Sequence, residues 1–516
     1  MDLGVATSEP VAREFLAVVL AGFGNELVPL TSNHGAEPCP KALVPVGNKP
    51  MIDYVLSWID QSGIKNVLLI CPAIHRAAIS HHVHSDLPTS FRVDVQTYDE
   101  SPDGSTGTCT ILRHFSSRIS EDFVLLSCDF IPPPSLSLHT ILDKFRTESG
   151  TDGSIATACW FEATLPDKNA IIEDWGSLPP PTPIVWEENT GTLLYIDSAD
   201  DSDRNSEELE LRMSLLSKYP RTKLSRKYQD SHVYVCRRSV LDLVKEKRHF
   251  DSFREEFFPW LCKIQYQRVK RERYGRMLIP PNDDGTLSVA LNHSTLQNKL
   301  HEKPQLQPSA AEPSEPPSPT EADSGIEPAS LRIGVVLHQA ADGFATRVNT
   351  VHSLLDMNRR VLSQTTYSLP VDPKSRSLID QKAQISSDTI VGDSTQVAER
   401  ATIKKSVIGK HCVIGKMTKI VGSVLLDHCV VEDGAKLDGC ILGRGTKIGA
   451  KAEVSRCVTQ AGYEVDAGET VKNEKLDVSD WTALDDEDDE DEDDEDEDDE
   501  DDDQEEEEGK DESESE

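Results

Sequence analysis

Residues 407–454 read VIGKHCVIGKMTKIVGSVLLDHCVVEDGAKLDGCILGRGTKIGAKAEV. Aliphatic side chains recur in this stretch at fixed steps. Ile408, Ile414 and Ile420 are six residues apart; five further on come Leu425, Val431 and Leu437, and five beyond these Leu442, Ile448 and Val454. The steps close into a unit of 17 residues. Glycine follows the aliphatic residue at Gly409, Gly415, Gly443 and Gly449, and upstream Ile385, Val391, Val397 and Ile403 keep the same six-residue step. A hexad with one buried aliphatic builds one flat face of a triangular prism, the signature of a left-handed parallel β-helix of hexapeptide repeats. The spacing over 385–471 supplies about five coils, in a domain expected over residues 375–475.

The repeat also absorbs residues that would otherwise suggest chemistry. Cys412 and Cys429 lie 17 apart, each four residues after an aliphatic, where a small inward side chain is required; Thr395, Thr446 and Ala452 fill equivalent slots. Ser406, Ser423, Cys440 and Cys457 form a second ladder of the same spacing at the corners. His411–Cys412 and His428–Cys429 resemble zinc-ligand pairs, and two stacked histidines invite an acyl-transfer reading. A repeat of this period stacks both without any ligand, so neither a metal nor an acyl-transfer site is expected.

Upstream, the chain alternates strand and helix patterns. FLAVVLAG (15–22) is a continuous apolar run that stops at glycine. In PMIDYVLSWIDQSG, Met51, Ile52, Val55, Leu56 and Ile59 recur at helical spacing before Gly63. NVLLIC (66–71) is a buried-type strand, and Arg76–Val83 a helix. RVDVQTY (92–98) alternates like a strand, Thr108–Ile119 reads as a helix, and DFVLLSC (122–128) is again strand-like. Apolar strands alternating with helices imply an α/β domain, a mostly parallel sheet covered on both faces. Phosphate ligands on such sheets bind at the carboxyl ends of strands. The Gly22–Gly24 turn, DGSTGT (103–108) and Asp129 all lie at such ends. His75, His81, His82 and His84 lack paired cysteines or a nearby carboxylate in ligand spacing, so an exposed helix face is expected there.

LAGFGNELVPLT (20–31) followed by PKALVPVGNKPMI (40–52) resembles the signature of the sugar-nucleotide pyrophosphorylases, a nucleotidyltransferase family with a Rossmann-like sheet. That resemblance implies a phosphate-cradling loop at Gly22 and Gly24, a substrate-contacting lysine at Lys41, and a magnesium ligand at Asp129. The departures from the family pattern bear on activity. The family loop runs Gly-Gly-x-Gly-Thr-Arg; here Asn25 and Glu26 stand at the threonine and arginine positions, the loop is one residue short, and the lysine segment is PKA. A carboxylate facing a polyphosphate repels what the arginine should attract, and losing such a donor costs on the order of 3–4 kcal/mol of transition-state stabilisation. The resemblance therefore implies a nucleotide-binding site that is vestigial, with no catalytic residue, no resident metal and no cofactor.

The middle and the ends read differently. The stretch near 187–226, with DSADDSDRNSEELE, is polar and acidic and is expected as an exposed insertion. DSHVYVCRRSVLDLV (230–244) reads as strand and helix, and FREEFFPWLCKIQYQ (253–267) as an amphipathic helix. The segment near 297–330 is dominated by Pro, Ser and Glu and is expected to be a disordered linker. Order is expected to return with LRIGVVLH (331–338) and a helix through ATRVNTVHSLLDMNRRVL that carries Val348, Val351, Leu354, Leu355 and Asn358. The α/β domain thus spans 15–370, after a disordered N-terminus at 1–14.

Charge is concentrated at one end. The chain has 91 acidic and 53 basic side chains, a net of −38, but residues 485–516 alone hold 27 carboxylates and one lysine. Subtracting these leaves 64 acids and 52 bases, a net of −12. Residues 480–516 are therefore expected as a disordered acidic tail. An acidic body disfavours nucleic-acid binding by bulk charge. No apolar run approaches the ~18 residues of a spanning helix, and the N-terminus lacks the pattern of a secretory signal. Eleven scattered cysteines fit a reducing compartment, so a cytosolic protein that binds no membrane is expected.

A nucleotidyltransferase-like domain followed by a left-handed β-helix occurs in bacterial sugar-nucleotide enzymes, mannose-1-phosphate guanylyltransferases and ADP-glucose pyrophosphorylases, and in two subunits of eukaryotic translation initiation factor 2B. VLLSCDF, DSHVYV, FREEFFPWL and RVNTVHSLLDMNRR resemble the gamma-subunit family of that complex. The epsilon subunit adds a helical exchange domain, for which the residues after Val471 leave no room. The resemblance implies a non-catalytic regulatory subunit of the guanine-nucleotide exchange factor for initiation factor 2. Its implied partners are an epsilon-like subunit, the other subunits of the complex, and initiation factor 2. The alternative reading of the same architecture is an active pyrophosphorylase of mannose-1-phosphate guanylyltransferase type.

Overall fold

The computed structural model of the chain describes residues 14–31, 39–85, 90–99, 106–163, 175, 182–197, 211, 213–278, 331–364, 370 and 372–477. The N-terminus before 14, the Pro/Ser/Glu segment near 297–330, residues 103–105 of the DGSTGT stretch and the acidic tail from 480 lie outside the described residues.

The α/β half is built on ten strands: β1 (Phe15–Leu20), β4 (Asn66–Pro72), β5 (Arg92–Tyr98), β6 (Asp122–Ser127), β8 (Ala156–Glu162), β9 (Ile184–Glu187), β10 (Thr192–Ile196), β11 (Thr222–Ser225), β12 (Tyr228–Cys236) and β13 (Ile333–His338). Their order across the sheet is β11-β9-β10-β13-β8-β12-β6-β1-β4-β5. Three short pieces, β2 (Pro45–Val46), β3 (Lys49–Pro50) and β7 (Phe130–Ile131), together with β14 (Thr346–Arg347), pair as β2–β3 and β7–β14 beside it. β6, β1, β4 and β5 run parallel, as the uninterrupted apolar runs require. Alternation along β1 serves both faces: Ala17 and Val19 join the core under the helices Met51–Gln61 (α1), Arg76–Ser85 (α2) and Leu138–Thr151 (α4), and Val18 the opposite core. Over that second face lie Thr108–Phe115 (α3), Arg238–Glu246 (α6), Phe258–Ile264 (α7) and Arg268–Leu278 (α8).

Three stretches differ from the sequence expectation. The expected exposed insertion near 187–226 contributes β10, β11 and the short helix Met213–Lys218 (α5). β10 is buried throughout because TLLYI offers apolar side chains to both faces; residues 198–210 are not described. The expected helix over 253–267 is a π turn (Phe253–Phe257) followed by α7. Pro259 has no N–H to give the Glu255 carbonyl, so the first turn widens. The expected helix around RVNTVHSLLDMNRR starts only at Val351 (α9, Val351–Gln364), where the Thr350 and Ser353 hydroxyls exchange bonds with each other's backbone N–H at 3.0 and 3.2 Å. Val348 is fully buried, but from the extended segment before that helix.

After a short helix (α10, Pro373–Ser377), the C-terminal half is the β-helix, strands β15 (Gln384–Ile385) to β31 (Lys475–Leu476), with every ladder parallel. They form three sheets of six, six and five strands. Partners lie 17 residues apart, as in Ile403↔Ile420 and Ile414↔Val431. Ile403, Ile408, Ile420, Leu442, Ile448 and Val454 fill the prism at zero exposure. The cysteine slots hold the same bond rung after rung. Thr395 Oγ1, Cys412 Sγ, Cys429 Sγ and Thr446 Oγ1 each donate to the carbonyl 14 residues on, at 2.7, 3.2, 3.1 and 3.2 Å. Ser394, His411, His428, Gly445 and Gly462 occupy one corner, all at positive φ. His411 and His428 therefore stack, with ring centroids 5.1 Å apart.

One flat face of the prism is not exposed. Ile390, Val407, Val424, Ile441 and Val458 point outward from their coils and are buried against Leu27, Val44, Met51, Val348 and Leu354 of the α/β half. Pairs of adjacent aliphatics such as Val407–Ile408 and Ile441–Leu442 thus serve two cores at once.

Candidate functional site

β1 ends at Leu20, and the chain turns through Gly22 and Gly24 into a 3₁₀ turn at Asn25–Leu27. Gly24 sits in the left-handed region at φ 89°, and a Cβ there would lie 2.9 Å from the Cβ of Lys41. Glycine is needed on both counts, for conformation and for the close approach of the lysine segment. Thr31 Oγ1 ties the loop by donating to the Gly24 carbonyl at 2.7 Å. Gly22 is exposed, with open space where a side chain would be. Glu26 is exposed in the same loop.

Lys41 opens a 3₁₀ turn after Pro40 and is buried. Its ammonium lies 2.7 Å from Asp129 Oδ2 and also donates to Asn349 Oδ1. Asp129 follows β6 and is fully buried. The Arg347 guanidinium grips the same carboxylate as a fork, Nε to Oδ1 at 3.2 Å and an NH2 to Oδ2 at 2.9 Å. Burial alone would raise the Asp129 pKa, but Arg347 and Lys41 together hold it well below the usual carboxylate range. Gly24, Lys41 and Asp129 are therefore brought together as the sequence implied.

Sequence reasoning did not find what surrounds them. Arg347 comes from β14, held opposite Phe130 of β7, and Val348 N–H donates to the Asp129 carbonyl at 2.8 Å. A signal existed in TRVNT: two-residue alternation in an extended segment puts Arg347 and Asn349 on one face and Val348 on the other. The second group is Asp230, buried on β12 where the ladder to β8 shifts register before Val233. It accepts from the His232 N–H at 2.9 Å and from the Tyr234 hydroxyl, and Arg254 Nε lies 3.4 Å away. Burial raises its pKa, against the pull of Arg254 and then of Arg347. Arg347 thus lies in the fields of two buried carboxylates. Burial, with Arg347 next, pushes the His232 pKa well down, so its imidazole is neutral.

The magnesium that the nucleotidyltransferase pattern implies does not fit these residues as arranged. A hard cation needs free carboxylate oxygens, and both oxygens of Asp129 are bonded to protein cations. Elsewhere, no three His, Cys, Asp or Glu side chains among the described residues are placed to hold a metal ion. The histidines near 75–84 do not form the exposed face expected of them. His75 is buried beneath Phe23, ring centroids 5.3 Å apart, and His82 Nε2 pairs with Asp53 Oδ1 at 2.7 Å, while His81 and His84 are exposed. All three departures follow from Val83 and Ile79 turning the apolar side of that helix inward.

Comparison with known proteins gives the context. The family described as "Nucleotidyl transferase" matches residues 16–164, and that described as "EIF2B subunit epsilon LbH domain" matches residues 373–471. Translation initiation factor eIF2B subunit gamma of Schizosaccharomyces pombe is 32% identical over 403 residues, 77% of this chain and 75% of the relative. The chain belongs to the eIF2B gamma family. The gamma subunits of Caenorhabditis elegans and Dictyostelium discoideum are 27% and 23% identical, over 49% and 73% of this chain and 59% and 83% of their own lengths. In this eIF2B gamma-family chain the candidate site is also a joint. Asn349 and Arg347 lead directly into α9, whose Asn358 Oδ1 accepts from Gly47 N–H at 2.8 Å. Val351, Leu354 and Leu355 of that helix enter the core shared with the β-helix. Asn48 Nδ2 donates to the Ile408 carbonyl at 2.6 Å, and Trp175 Nε1 to the Arg456 carbonyl at 2.7 Å. The residues of a nucleotidyltransferase site thus lie where the two halves are fastened together.

Proposed function

We propose that this chain is a non-catalytic regulatory subunit of eIF2B, acting in the cytosol. It pairs with the epsilon subunit and helps to promote exchange of GDP for GTP on translation initiation factor 2. The observation that carries the non-catalytic reading is the closed charge cluster at Asp129. Lys41 and Arg347 occupy the carboxylate that a magnesium–nucleotide complex would need, and Glu26 adds repulsion where a phosphate would approach. The Gly22, Gly24, Lys41 and Asp129 site is accordingly a vestigial nucleotide site. Membership of the gamma family and the match of the β-helix to the epsilon-type domain support pairing within the eIF2B assembly.

Tagged chain should co-purify with an epsilon subunit, and the pair should release GDP from initiation factor 2 faster than epsilon alone. A chain that stays monomeric beside epsilon and leaves the exchange rate unchanged contradicts the proposal. Calorimetry with GTP or ATP at millimolar magnesium should show no binding. The competing reading, a sugar-nucleotide pyrophosphorylase, is favoured by the nucleotidyltransferase match over 16–164. Pyrophosphate release from GTP with sugar 1-phosphates, abolished by Asp129→Ala, would establish it.

A further inference from the structure

Helix α8 runs against the electrostatics of the rest of the molecule. Its eleven residues, RVKRERYGRML, hold five basic side chains and one acidic, in a body whose net charge is −12. Over residues 238–278 eleven basic side chains face six acidic ones, a net of +5. The underside of α8 is fixed: Tyr274 and Leu278 are buried, and the Tyr274 ring meets Trp260 edge-on, with centroids 5.2 Å apart. Lys247 lies over both rings and donates to the Tyr274 hydroxyl at 2.5 Å, and the Arg273 guanidinium sits 5.3 Å from the Tyr274 centroid. Cation–π contacts of this kind place charge without neutralising it.

The outer face carries Val269, Arg273, Arg276 and Met277, at helical positions i, i+4, i+7 and i+8. Val269 is 78% and Met277 40% exposed, and both arginines are exposed. Glu272 faces Arg268 at 2.7 Å, so it leaves Arg273 and Arg276 uncompensated by that carboxylate. Two apolar side chains flanking two arginines on one rigid helix face make a patch of mixed chemistry.

We propose that the outer face of α8 is a docking surface for a partner polypeptide, a segment that carries carboxylates interspersed with apolar side chains. Charge complementarity supplies the carboxylates, and Val269 and Met277 call for the apolar side chains, which a phosphate backbone would not use. The Tyr274 and Trp260 rings are covered by Lys247, so they offer no open face for base stacking. Two apolar side chains are also too narrow a strip to enter a membrane.

The test uses fluorescence anisotropy with the full-length chain. The probes are a labelled peptide of interspersed glutamate and leucine, an all-glutamate peptide, an oligouridylate, and phosphatidylcholine–phosphatidylserine vesicles. The glutamate–leucine peptide should bind tightest. Arg273→Glu with Arg276→Glu should weaken it by about ten-fold, the scale of two exposed charge pairs turned repulsive. Arg273→Lys with Arg276→Lys should retain most of the affinity, and Val269→Ser with Met277→Ser should remove its advantage over the all-glutamate peptide. Tighter binding of the oligouridylate or of vesicles, equal binding by the charge-reversed chain, or no binding of the mixed peptide each overturns the proposal. So does peptide binding that appears only after residues 485–516 are removed, since the chain's own carboxylates would then be the occupant.

Discussion

Asp129 illustrates how a single position can keep its chemistry and change its use. Its carboxylate is buried, ionised and held by Lys41 and Arg347. Asp129→Asn leaves two cations buried with no counter-charge, and is expected to destabilise the fold by about 3–5 kcal/mol in urea unfolding. The effect has a pH signature. The folded-state pKa is depressed, so the carboxylate's stabilisation is fully present above the ordinary aspartate value of ~3.9 and is lost as pH falls toward the folded-state value. The stability gap between Asp129→Asn and the parent chain should therefore narrow below about pH 4; a gap that widens there would mean the cluster is held by something else. Lys41 and Asp129 were legible because each follows a strand or a proline at a place where such sheets bind phosphate. Arg347 was not, because it arrives from 218 residues away and its position depends on β14 pairing with β7. Asp230 was hidden for a related reason, since a break in the β12–β8 ladder sets its direction.

Among the elements, the β-helix was the most legible, because its period is set by local geometry and every coil repeats the same requirement. Its glycines, however, are not equivalent. At Gly409 a Cβ would lie 2.6 Å from the Leu426 backbone carbon. Gly409→Ala is expected to cost about 1–3 kcal/mol by overpacking, seen as a lower melting temperature. Gly445 stands at the corner where His411 and His428 already adopt positive φ, and space is open around it. Gly445→Asn, the larger change, should cost no more than about 1 kcal/mol, and a bigger loss than for Gly409→Ala would contradict this account of the corner. Cys412→Ser should be mild, because the hydroxyls of Thr395 and Thr446 make the same bond on neighbouring rungs. The outward aliphatics Val407, Val424, Ile441 and Val458 recur every 17 residues too. Their meaning depends on what covers them, and a one-dimensional repeat carries no record of that.

The whole molecule is governed by that covered face. Trp175 is buried in the shared core, its indole N–H bonded to Arg456 of the β-helix and its ring beside His352 of α9. Trp175→Ala is expected to cost about 3–5 kcal/mol and to loosen both halves together in hydrogen exchange; protection lost from one half alone would show that the core is not shared. Residues 373–476 produced alone would expose the strip from Ile390 to Val458 and should self-associate, whereas the full chain should not. Sedimentation at several concentrations distinguishes the two.

The seam between the halves also constrains how this gene can change length. Each coil adds one rung to the prism, about 4.8 Å of height, and one more aliphatic to the strip that meets the α/β half. Gaining or losing a whole coil keeps every later side chain pointing as before. A gain or loss of one residue turns each following aliphatic out of its slot, emptying the prism and the seam in the same stroke. Inheritance in this half of the chain is thus quantised: lineages can differ here by coils, while the α/β half remains free to vary residue by residue in its loops.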